Sequence, residues 1–418
     1  MSDSHFAEIK IEGWRQFSNV HIKFHPRLTI ITGSNGAGKS TILRILAQHF
    51  GWPALQLGTP TISRSGALSY LSGLFSWRKF DPQAPVEATI GTIVYSDGRA
   101  AQLAVPTAGG IQYNVNIRDM NTVVGMNISS HRPIPSYQQI ANIPTSAIDA
   151  AQAFDSYRSE AISRYNNGYT SFSPTYRMKE ALISMATFGP GNQYVQPNAR
   201  LEALLEGFKE VLRKLLPEAI GFLDISVRLP DVVLVTESGD FVIDAASGGL
   251  MSLIDIAWQI FLFGSDKSSF AVVVDEPENH LHPSMQRSVL SSLLGAFPNV
   301  QFIVATHSPF VVSSVKDSAV YVLRYSPTVS EGHSARRVSS IELDTANKAG
   351  TASEILRDVL GVPVTLPDWA EKELRIIASE FTIDQLTTEN IFLLRKRLDD
   401  QGLGEYYPDT VKQIAGQK

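Results

Sequence analysis

Polar and apolar positions alternate along Phe6–Ile11 and again along His21–Phe24, and Arg27–Ile31 follows as a compact β-branched run. Alternation marks a strand with one buried face, and an unbroken apolar run suits a strand covered on both faces. The chain therefore opens strand, strand, strand. A glycine-rich stretch, Gly33 to Gly38, comes next, and Lys39–Phe50 places Ile42, Leu43, Ile45 and Leu46 at helical spacing. Within 51–116, Thr89–Tyr95 and Ala101–Val105 read as strands of an antiparallel patch. The stretch 117–200 is polar and irregular, with helices expected over Ala147–Asn166 and Tyr176–Phe188, and Leu201–Leu216 is a firmer amphipathic helix. Phe222–Arg228 and Val232–Thr236 read as strands, the second pairing with Phe241–Ile243 across the turn Glu237–Asp240. From 247 onward helix and strand take turns. Phe270–Val274 and Val300–Ala305 are continuous apolar runs of the kind buried in a parallel sheet. After about 326 the pattern becomes mostly helical, over Thr351–Leu360, Pro367–Phe381 and Asn390–Asp400. No internal repeat and no sustained heptad interrupts this order. The fold class is α/β, with an N-terminal lobe over 1–116, a mainly helical insertion over 117–225, a second lobe over 226–325 and a helical tail over 326–418.

Composition narrows the classes of function. The 418 residues are 44% hydrophobic and 18% charged, enough apolar material for a sizeable core. The formal net charge of −5 argues against a uniformly basic nucleic-acid binder and leaves a local basic face open. There is no cysteine, which excludes disulfides, thiolate zinc sites and cysteine nucleophiles and fits a cytoplasmic protein. The longest apolar stretch, Leu250 to Phe263, is interrupted by Asp255 and falls short of the roughly 20 residues a bilayer requires. No membrane partner is expected.

The chemistry is concentrated in three places. Gly33-Ser34-Asn35-Gly36-Ala37-Gly38-Lys39-Ser40, followed by Thr41, fits G-x-x-x-x-G-K-[ST] at every fixed position, between a buried-type strand and a helix. Glycines let backbone N–H groups converge on phosphate oxygens at a helix N-terminus. Lys39 would reach the β- and γ-phosphates of ATP, and the Ser40 hydroxyl would ligate Mg²⁺. Phe270-Ala-Val-Val-Val-Asp275-Glu276 is an apolar strand ending in two carboxylates, Asp275 for the metal and Glu276 to polarise an attacking water. Val300–Ala305 ends in Thr306-His307-Ser308, and His307 follows the acidic pair by 31 positions, room for one helix and a return strand.

These residues resemble the ABC-type ATPases of the branch that includes RecF, SMC proteins and the overcoming-lysogenization-defect (OLD) ATPases, an AAA_21-type group. Ile9–Phe17 returning as His21–Phe24 resembles that branch's opening hairpin. Asp275-Glu276-Pro-Glu278-Asn279-His280-Leu-His282-Pro283 resembles its Walker B and D-loop region, and Thr306–Pro309 its switch histidine. The likeness covers 5–50 and 240–325 well and the remainder loosely. It implies a signature loop, for which Ala246-Ser247-Gly248-Gly249-Leu250 stands; alanine and leucine replace the usual first and last residues, while Ser247, Gly248 and Gly249 are kept. One set of motifs per chain then implies an ATP sandwich between two copies, a homodimer or a higher homo-oligomer. For the family's glutamine loop Gln138 and Gln139 are candidates, with Arg132 as another phosphate contact and Arg15 beside the base. His280 and His282 form an H-x-H read as D-loop packing, not a metal site. Arg336-Arg337 and Arg395–Arg397 read as solvated basic clusters.

What closure around ATP would drive is read by exclusion. There is no coiled coil for an SMC machine. The tail holds no Asp-x-Asp, so the metal-dependent nuclease domain of OLD proteins is not expected here. Stand-alone ATPases of this build resemble the ATPase subunits of bacterial anti-phage systems, such as the AriA and PtuA types, which implies a separate effector, a nuclease or toxin. The alternative is a RecF-like repair ATPase that binds DNA directly.

Overall fold

The computed structural model describes residues 4–62, 66, 68–73, 86–107, 110–132, 136–166, 168–330, 333–344, 350–360, 368–381 and 387–415. They form two units, 1–355 and 356–418.

The first unit is built on a mixed sheet. Its strands are β1 (Phe6–Trp14), β2 (Phe17–Lys23), β3 (Leu28–Gly33), β4 (Glu87–Tyr95), β5 (Ala100–Pro106), β6 (Asn116–Arg118), β7 (Gly125–Ile128), β8 (Phe270–Asp275), β9 (Val300–Ala305), β10 (Ala319–Ser330) and β11 (His333–Glu342). In space they run β6-β5-β4-β1-β2-β11-β10-β3-β9-β8-β7. The run from β10 to β7 is parallel. The run from β6 to β2 is antiparallel. The apolar runs behave as parallel-sheet strands should: every residue of β3 and β9 is buried. Gln301, a polar side chain in this core, is satisfied by exchanging bonds with both the N–H and C=O of Phe6.

The hairpin β10–β11 corrects the expectation of a helical tail from 326. Strand β10 pairs parallel with β3, and β11 pairs parallel with β2, so the hairpin joins the antiparallel lobe to the parallel one. The insertion expected over 117–225 likewise begins with sheet, because β7 forms the parallel edge beside β8.

Helix α1 (Lys39–Ala47) follows β3. The insertion supplies α2 (Ala150–Tyr165), α3 (Pro174–Phe188) and α4 (Ala199–Leu215), close to the expected bounds. Helix α4 buries Leu201, Leu204, Leu205, Phe208, Leu212 and Leu215, one stripe at helical spacing. Each such side chain stabilises by about 1.5–3 kcal/mol when fully buried. Phe208 meets Trp258 edge to face at 4.8 Å, on α5 (Gly248–Gly264). The strands Phe222–Arg228, Asp231–Thr236 and Phe241–Val242 form a small antiparallel sheet as expected. Helices α6 (Pro283–Ala296) and α7 (Pro309–Val312) complete the lobe. Among the described residues no helix is long and apolar enough to cross a membrane.

Beyond β11, the expected helix Thr351–Leu360 is one capped turn, Ala352–Glu354, continued as a wider turn over Ile355–Val359. The second unit contains α8 (Asp368–Ser379), α9 (Thr388–Asp400) and α10 (Tyr407–Ala415) around Leu374, Ile377, Leu394, Leu398 and Ile414. Pro367, the expected start of α8, lies outside the described residues, as do Pro133–Pro135.

Candidate functional site

The loop between β3 and α1 owes its course to two glycines. Gly33 has φ 138°, and a Cβ there would stand 2.4 Å from the carbonyl oxygen of Leu323. Gly38 has φ 100°, and a Cβ would meet the Phe17 ring at 2.3 Å. Neither position admits a side chain. The tip is braced from strand β10 and from the β1–β2 turn, the Tyr325 hydroxyl donating to the Gly36 carbonyl at 2.9 Å and the Gln16 amide at 3.3 Å. Ser34, Asn35 and Gly36 face solvent. Helix α1 starts with no side-chain cap and no acidic residue in its first turn, whereas side chains of Asp149, Ser173, Asn198, Ser247 and His282 cap α2 to α6. Unfilled N–H groups at the positive end of a helix dipole fit an anion, which is the fit that a phosphate requires.

Lys39 is buried beneath this loop. Its ammonium donates to the carbonyls of Gly33 at 2.8 Å and Ser34 at 3.2 Å and lies 3.3 Å from His307 Nδ1. Burial pushes its pKa from 10.5 down to about 8, against the opposing pull of Asp275, Glu276 and Glu278. A polyphosphate would hold the same ammonium charged. ATP affinity should therefore be full below about pH 8 and weaken as the pH climbs past it. Binding above that pH should take up close to one proton, measurable by calorimetry in two buffers of different ionisation enthalpy.

Register brings the other motifs to the same place. Asp275 stands beside Ala305, and Ala305 beside Ile31, so β8, β9 and β3 end together with β9 in the middle. Burial raises the pKa of the Asp275 carboxylate, against the opposing pull of the Ser40 hydroxyl. Glu276 sits at φ 50°, a costly left-handed conformation fixed by its N–H donating to the Ala305 carbonyl at 2.9 Å. One oxygen of its carboxylate accepts from the Asn279 amide at 3.0 Å, and the other lies 3.7 Å from His307 Nε2. Burial, then the charge of Lys39, lowers the His307 pKa, which keeps the imidazole neutral at pH 7. Glu276, Lys39 and His307 thus face one another at the strand ends.

Two residues here go beyond the sequence reading. Glu278 is buried, and its Oε1 accepts from the Thr306 hydroxyl and the backbone N–H groups of His307 and Ser308, so it sets the turn that carries the histidine. Its position two after Glu276 was the available signal. Arg132, expected as a phosphate contact, is instead nine-tenths buried behind the acidic strand end. It donates to the Glu276 carbonyl at 2.8 Å and to the Ser252 hydroxyl of α5 at 2.8 Å. Nearby Asp255 is fully enclosed, and burial raises its pKa from 3.8 to about 7. Because the folded value exceeds the unfolded one, the charged carboxylate costs stability as pH rises through 4 to 7, and Arg132 offsets that cost. Arg132→Met should destabilise the chain by about 3 kcal/mol at pH 8 and by less at pH 5, in urea unfolding.

Ser247 caps α5, accepting from the Leu250 N–H at 3.3 Å, and like Gly248 it is exposed. A Cβ on Gly249 would stand 2.7 Å from the His280 carbonyl oxygen, so this turn packs on the segment after Glu278. No bond among the described residues joins Ser247–Gly249 to residues 33–41 of the same chain. His280 has φ 69°, and His282 caps α6 and contacts the Ser284 hydroxyl, consistent with packing roles. The structure does not bring the remaining candidates to the site. Gln138 bonds Ser171 and Ser173 before α3, Gln139 is exposed, and Arg15 bonds Gln56 beside Trp14.

Comparison with known proteins matches two family models, AAA_23, an "AAA domain", over residues 8–62 and AAA_21, "AAA domain, putative AbiEii toxin, Type IV TA system", over residues 215–313. The chain is similar to the Septu protein PtuA of Bacillus thuringiensis, 24% identical over 94% of this chain and 92% of that one. It is also similar to the Retron Ec83 probable ATPase of Escherichia coli, 23% identical over 76% of this chain and 71% of that one. Among solved structures the SMC head domain from Thermotoga maritima aligns with a TM-score of 0.39 and 15% identity, over 81% of this chain and 99% of that one.

Proposed function

Taking the chain as an ABC-type ATPase related to defence-system ATPases, we propose that it binds and hydrolyses ATP as the regulatory subunit of a bacterial anti-phage system and gates a separate nuclease or toxin. The observation that carries this reading is the similarity to Septu PtuA along nearly the whole of both chains. The retron relative and the toxin–antitoxin description of the AAA_21 family support the same class.

In the proposed mechanism residues 33–41 cradle the phosphates, and Lys39 turns from its own loop carbonyls to the β- and γ-phosphates. Ser40 and Asp275 would hold Mg²⁺, which neutralises phosphate charge when bound. Glu276 draws the proton of the attacking water, and neutral His307 orients that water against the γ-phosphate. Ser247, Gly248 and Gly249 act on the phosphates held by a second copy, because they do not bond their own loop. ATP therefore favours a closed homodimer, and closure is the signal passed to the effector.

Phage challenge of cells expressing the chain with its neighbouring genes tests this. Protection should require an adjacent effector gene and should vanish with Lys39→Ala. Full protection by the chain alone, or by the Lys39→Ala operon, would sink the proposal.

A further inference from the structure

A cavity of about 450 Å³ opens beside the edge strand β7, between that strand, α2 and α5. Its volume falls in the range of small-molecule pockets, roughly 300–1,000 Å³. None of residues 33–41, Glu276 or His307 lines it. Part of its lining is aromatic: Trp52 and Tyr165 meet edge to face at 5.6 Å, and Phe154 and Phe263 lie 5.2 Å apart. The lining also carries three guanidinium groups, of Arg132, Arg158 and Arg164, and one carboxylate, that of Asp255. Arg132 is nine-tenths buried, and its Nε has no hydrogen-bond partner.

Aromatic faces take a flat ring, and surplus guanidinium groups in a recess take an anion, with the least competition from water at the buried one. A nucleoside monophosphate and an aromatic carboxylate share this chemistry. We propose that the cavity is a second small-molecule site, for a flat ring bearing one anionic group, whose occupancy reaches the hydrolytic centre through Arg132. The route is short: the same guanidinium that lines the cavity donates to the carbonyl of Glu276 and to the hydroxyl of Ser252 on the helix that Ser247 caps. An anion drawn to Arg132 competes with those bonds and shifts both Glu276 and α5. The inference needs only the cavity and this link, and it stands whether or not the chain serves in defence.

The test titrates AMP, GMP and anthranilate by calorimetry into the Lys39→Ala chain, in which the phosphate loop is disabled. At least one probe should bind saturably, and binding should weaken about tenfold or more when Arg164→Glu or Tyr165→Ala is added. Both positions are exposed, and circular dichroism checks that each variant keeps the fold. Nucleotide binding alone assigns a phosphate ligand, and anthranilate binding assigns a carboxylate. In the wild-type chain the same probe should change the ATP hydrolysis rate by about threefold or more. Three outcomes would overturn the proposal: no saturable binding by any probe up to about millimolar concentration, binding indifferent to both substitutions, or binding that leaves hydrolysis unchanged.

Discussion

Lys39→Ala should abolish ATP hydrolysis in practice, by roughly 10²–10³-fold, the effect of losing one charge-stabilising donor. It should also weaken ATP binding, because the ammonium bonds the loop carbonyls of Gly33 and Ser34 and no other lysine or arginine bonds residues 33–36 among the described residues. The fold should survive. Lys39 makes its polar bonds to its own loop and to His307, and burial already disfavours its charge, lowering its pKa to about 8. Removing a cation that the fold holds at a cost takes away little stability. The melting temperature without nucleotide should therefore stay close to that of the parent chain, while the rise on adding Mg-ATP should disappear. A preserved nucleotide shift would place the phosphates elsewhere than on this loop.

The parts of this site that were legible in the sequence are those in which one short segment carries both the chemistry and its structural context. Gly33–Ser40 needs only its own spacing, and Asp275 and His307 announce themselves at the ends of apolar runs. Those runs are buried on both faces, so the sheet that aligns them is legible too. Contacts made through the backbone or across the chain left no such trace. Strand β11 buries Val338 but is otherwise mostly polar, since it is held by main-chain bonds to β10 and β2 on either side. A polar stretch of this kind reads as loop, so the sequence alone does not separate the hairpin from the helical tail that follows it. Glu278 and Arg132 were obscured for a different reason. A charged side chain does not name its partner in the sequence, and only the fold shows that Glu278 clamps the turn of His307 and that Arg132, expected at the phosphates, supports the backbone of Glu276. Gln138 shows the converse error, a polar residue at a plausible position whose bonds belong to the start of α3.

Glu276→Gln should separate binding from hydrolysis. The substitution keeps the size of the side chain, and the amide oxygen can still accept from Asn279, so the strained turn at φ 50° should persist. What is lost is the anionic base. Hydrolysis should fall by roughly 10²–10⁴-fold, the usual contribution of a general base. ATP binding should hold or tighten, because a negative charge close to the γ-phosphate is removed while Lys39, Ser40 and Asp275 are untouched. If ATP closes two copies around the exposed Ser247–Gly248 turn, the variant should accumulate as an ATP-bound dimer in light scattering, with the parent chain returning to monomer as it turns over. Adding Ser247→Arg to the variant should then prevent that dimer without changing the affinity of a single chain for ATP, since Ser247 makes no bond to its own phosphate loop. A dimer that ignores Ser247→Arg would mean that the two copies meet through another surface. Loss of ATP affinity in the doubly substituted monomer would mean that the turn serves its own site and not its neighbour's.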